Sequence, residues 1–299
     1  MTFVIFVVLR ALVINVKEDD MKPVLGNVVG LMAALLLDAG CATPGTAQDK
    51  SGKVEVQWLG QTSMRVTTPG GKVIVIDPFL TNNPKTPPEY KNLDALGKVD
   101  LILVSHGHMD HSADAPALAK KNNVPVYGPA GLNQVWITLG VLPPALSVRF
   151  GKGGTITPLG PDIKITATHA EHSSEIVWKN PETGKDESHI GGEPVGFIIE
   201  LENGFKIYHM GDTGLFGDMK FIGEYYKPDL IIIPVGGHFV MSPKDAAYAT
   251  REWLKPKYAL PVHYATFPEL KGTPEEYVQA LGSSSTKVFP IKPGEKINF

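Results

Sequence analysis

One heptapeptide constrains this chain more than any other stretch: Ser105-His106-Gly107-His108-Met109-Asp110-His111. It comes directly after the apolar run Leu101-Ile102-Leu103-Val104, which reads as a short covered strand. His106 and His108 are two apart while Asp110 and His111 are adjacent, so no single helix face presents all four. A loop leaving a strand end does, with Gly107 giving the backbone freedom to curl around an ion. Imidazole and carboxylate together suit zinc, with manganese or iron as alternatives. The competing reading is a chance polar cluster in a turn. Three histidines and one aspartate packed so closely argue against it.

Composition sets the remaining bounds. A chain of 299 residues with 43% hydrophobic content holds one large or two ordinary domains. The formal charge is −3 and the basic residues are scattered, so no surface here attracts a nucleic-acid backbone. All nine histidines lie between His106 and His263, which puts the chemistry in the later part of the chain. The single cysteine, Cys41, excludes a disulfide framework and a multi-thiolate zinc site.

The first fifty residues differ in composition from the rest of the chain. Met1 to Val16 and Val24 to Leu37 are mostly apolar, and neither reaches the ~20 residues that span a bilayer comfortably. The second run, behind Met21-Lys22, has the outline of a secretory signal. Leu37-Asp38-Ala39-Gly40-Cys41 resembles a lipoprotein cleavage box, with Asp38 a poor fit; cleavage after Ala47 and a buried N-terminal helix are the competing readings. Residues 1–52 are assigned to leader and linker, with Met21 a candidate true start. The expectation is an exported protein, periplasmic or anchored to the membrane by a lipidated Cys41, and a cytoplasmic one if the leader is not a signal.

The folded domain is expected over 53–299. Val54–Trp58 and Ser63–Thr67 alternate like half-exposed strands, and Pro69-Gly70-Gly71 turns into a strand ending at Asp77-Pro78. Residues 81–98 read as a loop, 113–121 and 131–139 as helices, and 124–127 as a strand. Gly151-Lys152-Gly153-Gly154 lacks the spacing of a phosphate-binding loop and is expected to be a hairpin turn. Val195–Leu201 and Phe205–His209 form a hairpin about Glu202-Asn203-Gly204. Asp229–Pro234 and Tyr258–Val262 are strands. Ser242-Pro243-Lys244-Asp245 and Thr273-Pro274-Glu275-Glu276 open capped helices, the first running to about Leu254. Strands first, then strands mixed with helices, fit two sheets packed face to face with helices outside.

Further ligands are available at strand ends. Asp212 lies in Gly211-Asp212-Thr213-Gly214, where flanking glycines let a carboxylate approach two ions; capping its own turn is the rival role. His263 comes after the strand Tyr258–Val262 as His106 comes after its own. His169 and His172 are three apart, and at most one completes the first site, because three histidines plus solvent satisfy a tetrahedral ion. Spacing does not choose between them.

These residues together resemble the metallo-β-lactamase superfamily, and more narrowly the small metal-dependent hydrolases related to ascorbate-6-phosphate lactonase. The likeness runs from about Val54 to Val288 and includes Leu59-Gly60, Ile76-Asp77-Pro78-Phe79, Pro234-Val235-Gly236-Gly237 and Pro261-Val262-His263-Tyr264-Ala265-Thr266-Phe267. It implies an α/β fold, the αββα sandwich of two mixed sheets with outer helices. It implies two divalent ions, zinc or else manganese or iron. One would be held by His106, His108 and His172, the other by Asp110, His111 and His263, with Asp212 between them. The family's third ligand lies in an Ala-x-His-Ser/Gly-Ser segment, matching Ala170-Glu171-His172-Ser173-Ser174 and leaving His169 outside the ligand set. The implied activity is hydrolysis of an ester-type bond in a small molecule, a lactone or phosphoester, by a hydroxide shared between the ions. A metal-binding scaffold or sensor without turnover is the alternative. Asp110 is also the candidate acceptor of the nucleophile's proton, Asp77 orients the ligand loop, and His238 is the candidate donor to the substrate. Gln61 stands where the family often has histidine, a departure that bears on local hydrogen bonding.

Overall fold

The computed structural model describes residues 52–299. The expected leader, with its cleavage sites and Cys41, lies outside the described residues. Among them no helix is long and apolar enough to cross a membrane.

Two seven-stranded mixed sheets form the body. The first begins with three antiparallel strands, β1 (Glu55–Gly60), β2 (Ser63–Thr67) and β3 (Val73–Ile76). Parallel strands β4 (Leu101–Leu103), β5 (Val126–Pro129) and β6 (Ser147–Phe150) extend it. The second sheet contains β7 (Thr155–Ile156), β8 (Lys164–His169), β11 (Val195–Glu200), β12 (Lys206–His209), β13 (Leu230–Pro234), β14 (Tyr258–Val262) and β15 (Lys287–Val288). Between β8 and β11 the chain forms a separate hairpin of β9 (Glu175–Lys179) and β10 (Asp186–Ile190). A last strand, β16 (Lys296–Asn298), returns to pair with β1.

The near-continuous apolar runs result from burial on both faces. Along β3, Ile74 and Ile76 enter the core between the sheets, while Val73 and Val75 face the outer helical layer. Along β13, Leu230 and Ile232 point inward, and Ile231 and Ile233 pack under the helices. At about 1.5–3 kcal/mol for each fully buried aliphatic side chain, neither face can be left to water. Helices Ala115–Asn122 and Ala130–Thr138 cover the first sheet; Met219–Tyr225, Pro243–Tyr248 and Pro274–Leu281 cover the second. The result is the expected αββα sandwich. Both capped helix starts are present as full capping boxes, at Ser242 and Thr273.

Three local expectations need correction. The strand at Val54–Trp58, expected half-exposed, is buried at every position but Glu55. Gly151–Gly154 is not a hairpin turn, because β6 belongs to the first sheet and β7 to the second. The segment is the crossover between sheets. Gly153 takes φ +75° and its N–H bonds the Ala167 carbonyl of β8 at 2.7 Å, so the glycine turn hands the chain from one layer to the other. The helix from Ser242 does reach Leu254, but its second half, Ala249–Leu254, is π-helical.

Candidate metal centre

Half of the site side chains sit just beyond the carboxyl ends of parallel strands, where ligands gather in open α/β sheets. Asp77 lies just past β3, His106 past β4, Asp212 past β12 and His263 past β14. Asp110 and His111 ride on the single helical turn Met109–Ser112, with His108 at its N-cap. His172 comes from the loop after the antiparallel strand β8.

The side chains form two adjoining groups, His106/His108/His172 and Asp110/His111/Asp212/His263, each with ligand atoms within 4.8 Å of one another. In the first, His108 Nδ1 lies 3.0 Å from His106 Nε2 and 3.2 Å from His172 Nε2. In the second, Asp212 Oδ1 is 3.1 Å from His111 Nε2, and Asp212 Oδ2 is 2.9 Å from His263 Nε2. The same Oδ2 lies 3.6 Å from His172 Nε2, so one buried carboxylate touches both groups.

The outward hydrogen bonds decide which nitrogen faces the centre. Asp77 Oδ1 accepts from the Ser105 N–H, and Asp77 Oδ2 accepts from the Ser105 hydroxyl, both at 2.7 Å. The hydroxyl's proton is thereby used, so its oxygen accepts from His106 Nδ1–H at 3.0 Å and leaves the Nε2 lone pair inward. Asp77 Oδ2 also accepts from His111 Nδ1 at 2.9 Å, again turning Nε2 inward. His108 Nε2 donates to Glu175 Oε2 at 2.9 Å and presents Nδ1. Carboxylates that hold imidazoles in one tautomer are the usual outer partners of metal-binding histidines. Inward lone pairs about 3 Å apart repel unless a cation lies among them, and the 3.0 and 3.2 Å separations are close to the edge of a tetrahedron with ~2.0 Å metal–nitrogen bonds. His111 Nε2, Asp212 Oδ1 and both ring nitrogens of His263 are buried without a well-aligned hydrogen bond, despite the short approaches. The Nε2 atoms of His111 and His263 both face the Asp212 carboxylate. The donor set fits two divalent ions.

Electrostatics agrees. Burial, then the charge of His111, pushes His106 well below the ordinary histidine value, and burial also lowers His172. Both are neutral near pH 7, as a metal ligand must be. Burial pulls His111 and His263 down, but the carboxylates outweigh it: His111 lies well above its usual value and His263 is raised to about 9. Burial pushes Asp212 up, and the charges of His111 and His263 override it, holding the carboxyl far below its usual range. Without metal, protons on these histidines supply the positive charge that ions would. The folded pKa of His263, about 9, exceeds the ~6.5 of an unfolded histidine. Its ion pair therefore stabilises fully below about pH 6.5, and the contribution vanishes as pH rises through about 9. Metal-free protein is expected to lose about 3 kcal/mol over that window, seen as a falling Tm, whereas zinc-loaded protein should not. A metal-free Tm that stays level would contradict this pairing.

The remaining candidates occupy other places around the centre. Gln61, with φ +52°, donates from Nε2 to Asp110 Oδ2 at 2.7 Å. His169 stays outside both groups: its ring meets Lys152 Nζ at 3.1 Å and packs edge-on to Phe216. His238 is not brought to the ligands. It is exposed and lines a neighbouring cavity with Ser242, Glu269 and Lys271, and Phe239 instead turns towards the centre. Gly107 is required for a different reason than expected. Its φ is not left-handed; a Cβ there would lie 2.8 Å from Ile176 Cγ1 and 3.1 Å from the Glu175 carbonyl. The missing side chain lets the β9–β10 hairpin seat against the ligand loop.

That hairpin delivers Glu175, which sequence reasoning missed, as it missed the hairpin itself. Glu175→Gln is expected to weaken metal binding about 10–100-fold, because the amide is a poorer acceptor for His108 Nε2–H. Competition with a chromogenic chelator measures this. Unchanged affinity would mean that the contact does not orient His108.

A cavity of about 290 Å³ opens over the centre, lined by His108, Met109, Asp110, His172, Asp212, Phe239, His263 and Phe267.

Residues 72–264 match the β-lactamase superfamily domain. A UPF0173 metal-dependent hydrolase of Polaromonas sp. is 64% identical over 93% of this chain and 100% of its own length. The chain belongs to the metal-dependent hydrolases of the metallo-β-lactamase superfamily. A second such relative, from Cupriavidus necator, is 57% identical to the hydrolase over 91% of this chain and 99% of its own. Among solved structures, a metallo hydrolase from the archaeon Ignicoccus hospitalis superposes with TM-score 0.69 and 31% identity, covering 83% of this chain and 98% of that one.

Proposed function

We propose that the hydrolase cleaves an ester-type bond, a lactone or a phosphoester, with two zinc ions as cofactor. His106, His108 and His172 would hold one ion, Asp110, His111 and His263 the other, and Asp212 would serve both. The position of the Asp212 carboxylate carries this reading, one oxygen at His111 and the other between His263 and His172. Bound there, zinc supplies water acidified towards neutral pH and positive charge against the attacked carbonyl or phosphoryl oxygen. The chain's own groups do the rest. Asp77 and Glu175 hold the imidazole tautomers. Asp110, 18% exposed beside the cavity and pinned at Oδ2 by Gln61, is the carboxylate placed to take a proton from the attacking water.

The test loads the full chain with zinc, manganese or iron and screens chromogenic lactones, carboxylic esters and phosphodiesters. Turnover that a chelator abolishes and zinc restores supports the reading. Two stoichiometrically bound ions with no turnover of any ester would leave a metal-binding scaffold.

A further inference from the structure

Three walls of the cavity hold no ligand atom and come from three separate segments. Met109 lies in the ligand loop, Phe239 in the turn after β13 and Phe267 in the loop after β14. Met109 is 57% and Phe239 52% exposed, and Phe267 is backed by the buried ring of Phe79 at 6.5 Å. An exposed large apolar side chain means little singly, but here two of them, with the half-buried Phe267, face one opening beside the candidate reaction centre. No lysine or arginine among the described residues lines the cavity. A phosphoester anion entering it would have the bound ions alone to offset its desolvation, with no lysine or arginine side chain to hold its remaining oxygens. A neutral carbonyl with a hydrocarbon substituent needs none.

We propose that Met109, Phe239 and Phe267 form an apolar subsite for the acyl chain of a neutral carboxylic ester or lactone, and that this is the bond class cleaved in preference to a phosphoester. The proposal rests on the hydrolytic reading of the metal centre and narrows it. The cavity's volume limits the occupant's size: at ~30 Å³ per water-sized group, it takes roughly ten heavy atoms, a reacting ester with a short chain. Longer chains run out past the rim.

The test uses zinc-loaded full chain and p-nitrophenyl acetate, butyrate, hexanoate and decanoate, which share one leaving group, with bis(p-nitrophenyl) phosphate beside them. kcat/KM is expected to rise about two- to fourfold per methylene up to hexanoate and then level off. Phe239→Ala and Met109→Ala should each cut the hexanoate-to-acetate ratio about five- to tenfold while zinc per chain stays at the wild-type value. Three results would overturn the subsite and leave the hydrolytic reading standing: a ratio independent of chain length, a preference for the phosphodiester, or variants that keep the wild-type ratio. No turnover of any ester by the loaded protein would overturn both.

Discussion

Asp212→Ala is expected to release both ions and to lower activity by at least about a thousandfold. The side chain is 3% exposed and its two oxygens reach His111, His263 and His172. A ligand confined to one group would cost one ion on removal, whereas a shared one costs both. Asp212→Asn keeps the volume and removes the charge, and should behave like the alanine variant. Removing one partner of a buried ion pair costs about 3–5 kcal/mol, so metal-free Asp212→Ala should also melt well below the metal-free parent. Zinc per chain after gel filtration without free metal gives the stoichiometry. One tightly held ion in either variant would break the account of a shared carboxylate.

His172→Ala and His169→Ala give the second large contrast. They differ by three positions at the same strand end, yet His172 Nε2 lies 3.2 Å from His108 Nδ1, while His169 points to Lys152 and Phe216. Losing a direct nitrogen should weaken the first ion by more than the ~10–100-fold that an outer partner costs. His169→Ala should leave zinc content unchanged. The reverse order would reassign the first group.

The ligand loop, Asp212 and His263 were legible because each couples a chemically unusual side chain to a strand end, and apolar runs mark strand ends clearly. His172 was separated from His169 only by family resemblance, because spacing alone cannot say which imidazole leaves β8 pointing inward. His238, the candidate donor, and His263, the candidate ligand, both come after buried strands. Both also take left-handed backbone, at φ +58° and +55°, yet His263 joins the centre and His238 lies exposed beside a neighbouring cavity, and no local pattern encodes that. Glu175 carries its meaning only through contact with His108 across sixty-seven positions. Its strand, Glu-Ile-Val-Trp-Lys, pairs with Asp-Glu-Ser-His-Ile in a two-stranded hairpin whose outer face is exposed, so neither half has the apolar run of a core strand. Gly107 invited an argument from flexibility, whereas packing supplied the reason.

Anomalous diffraction at the zinc edge from crystals of zinc-loaded protein tests the central claim most directly. Two peaks are predicted, one among His106, His108 and His172, the other among Asp110, His111 and His263, with the Asp212 carboxylate in contact with both. A single peak, or a second ion away from Asp212, would contradict it.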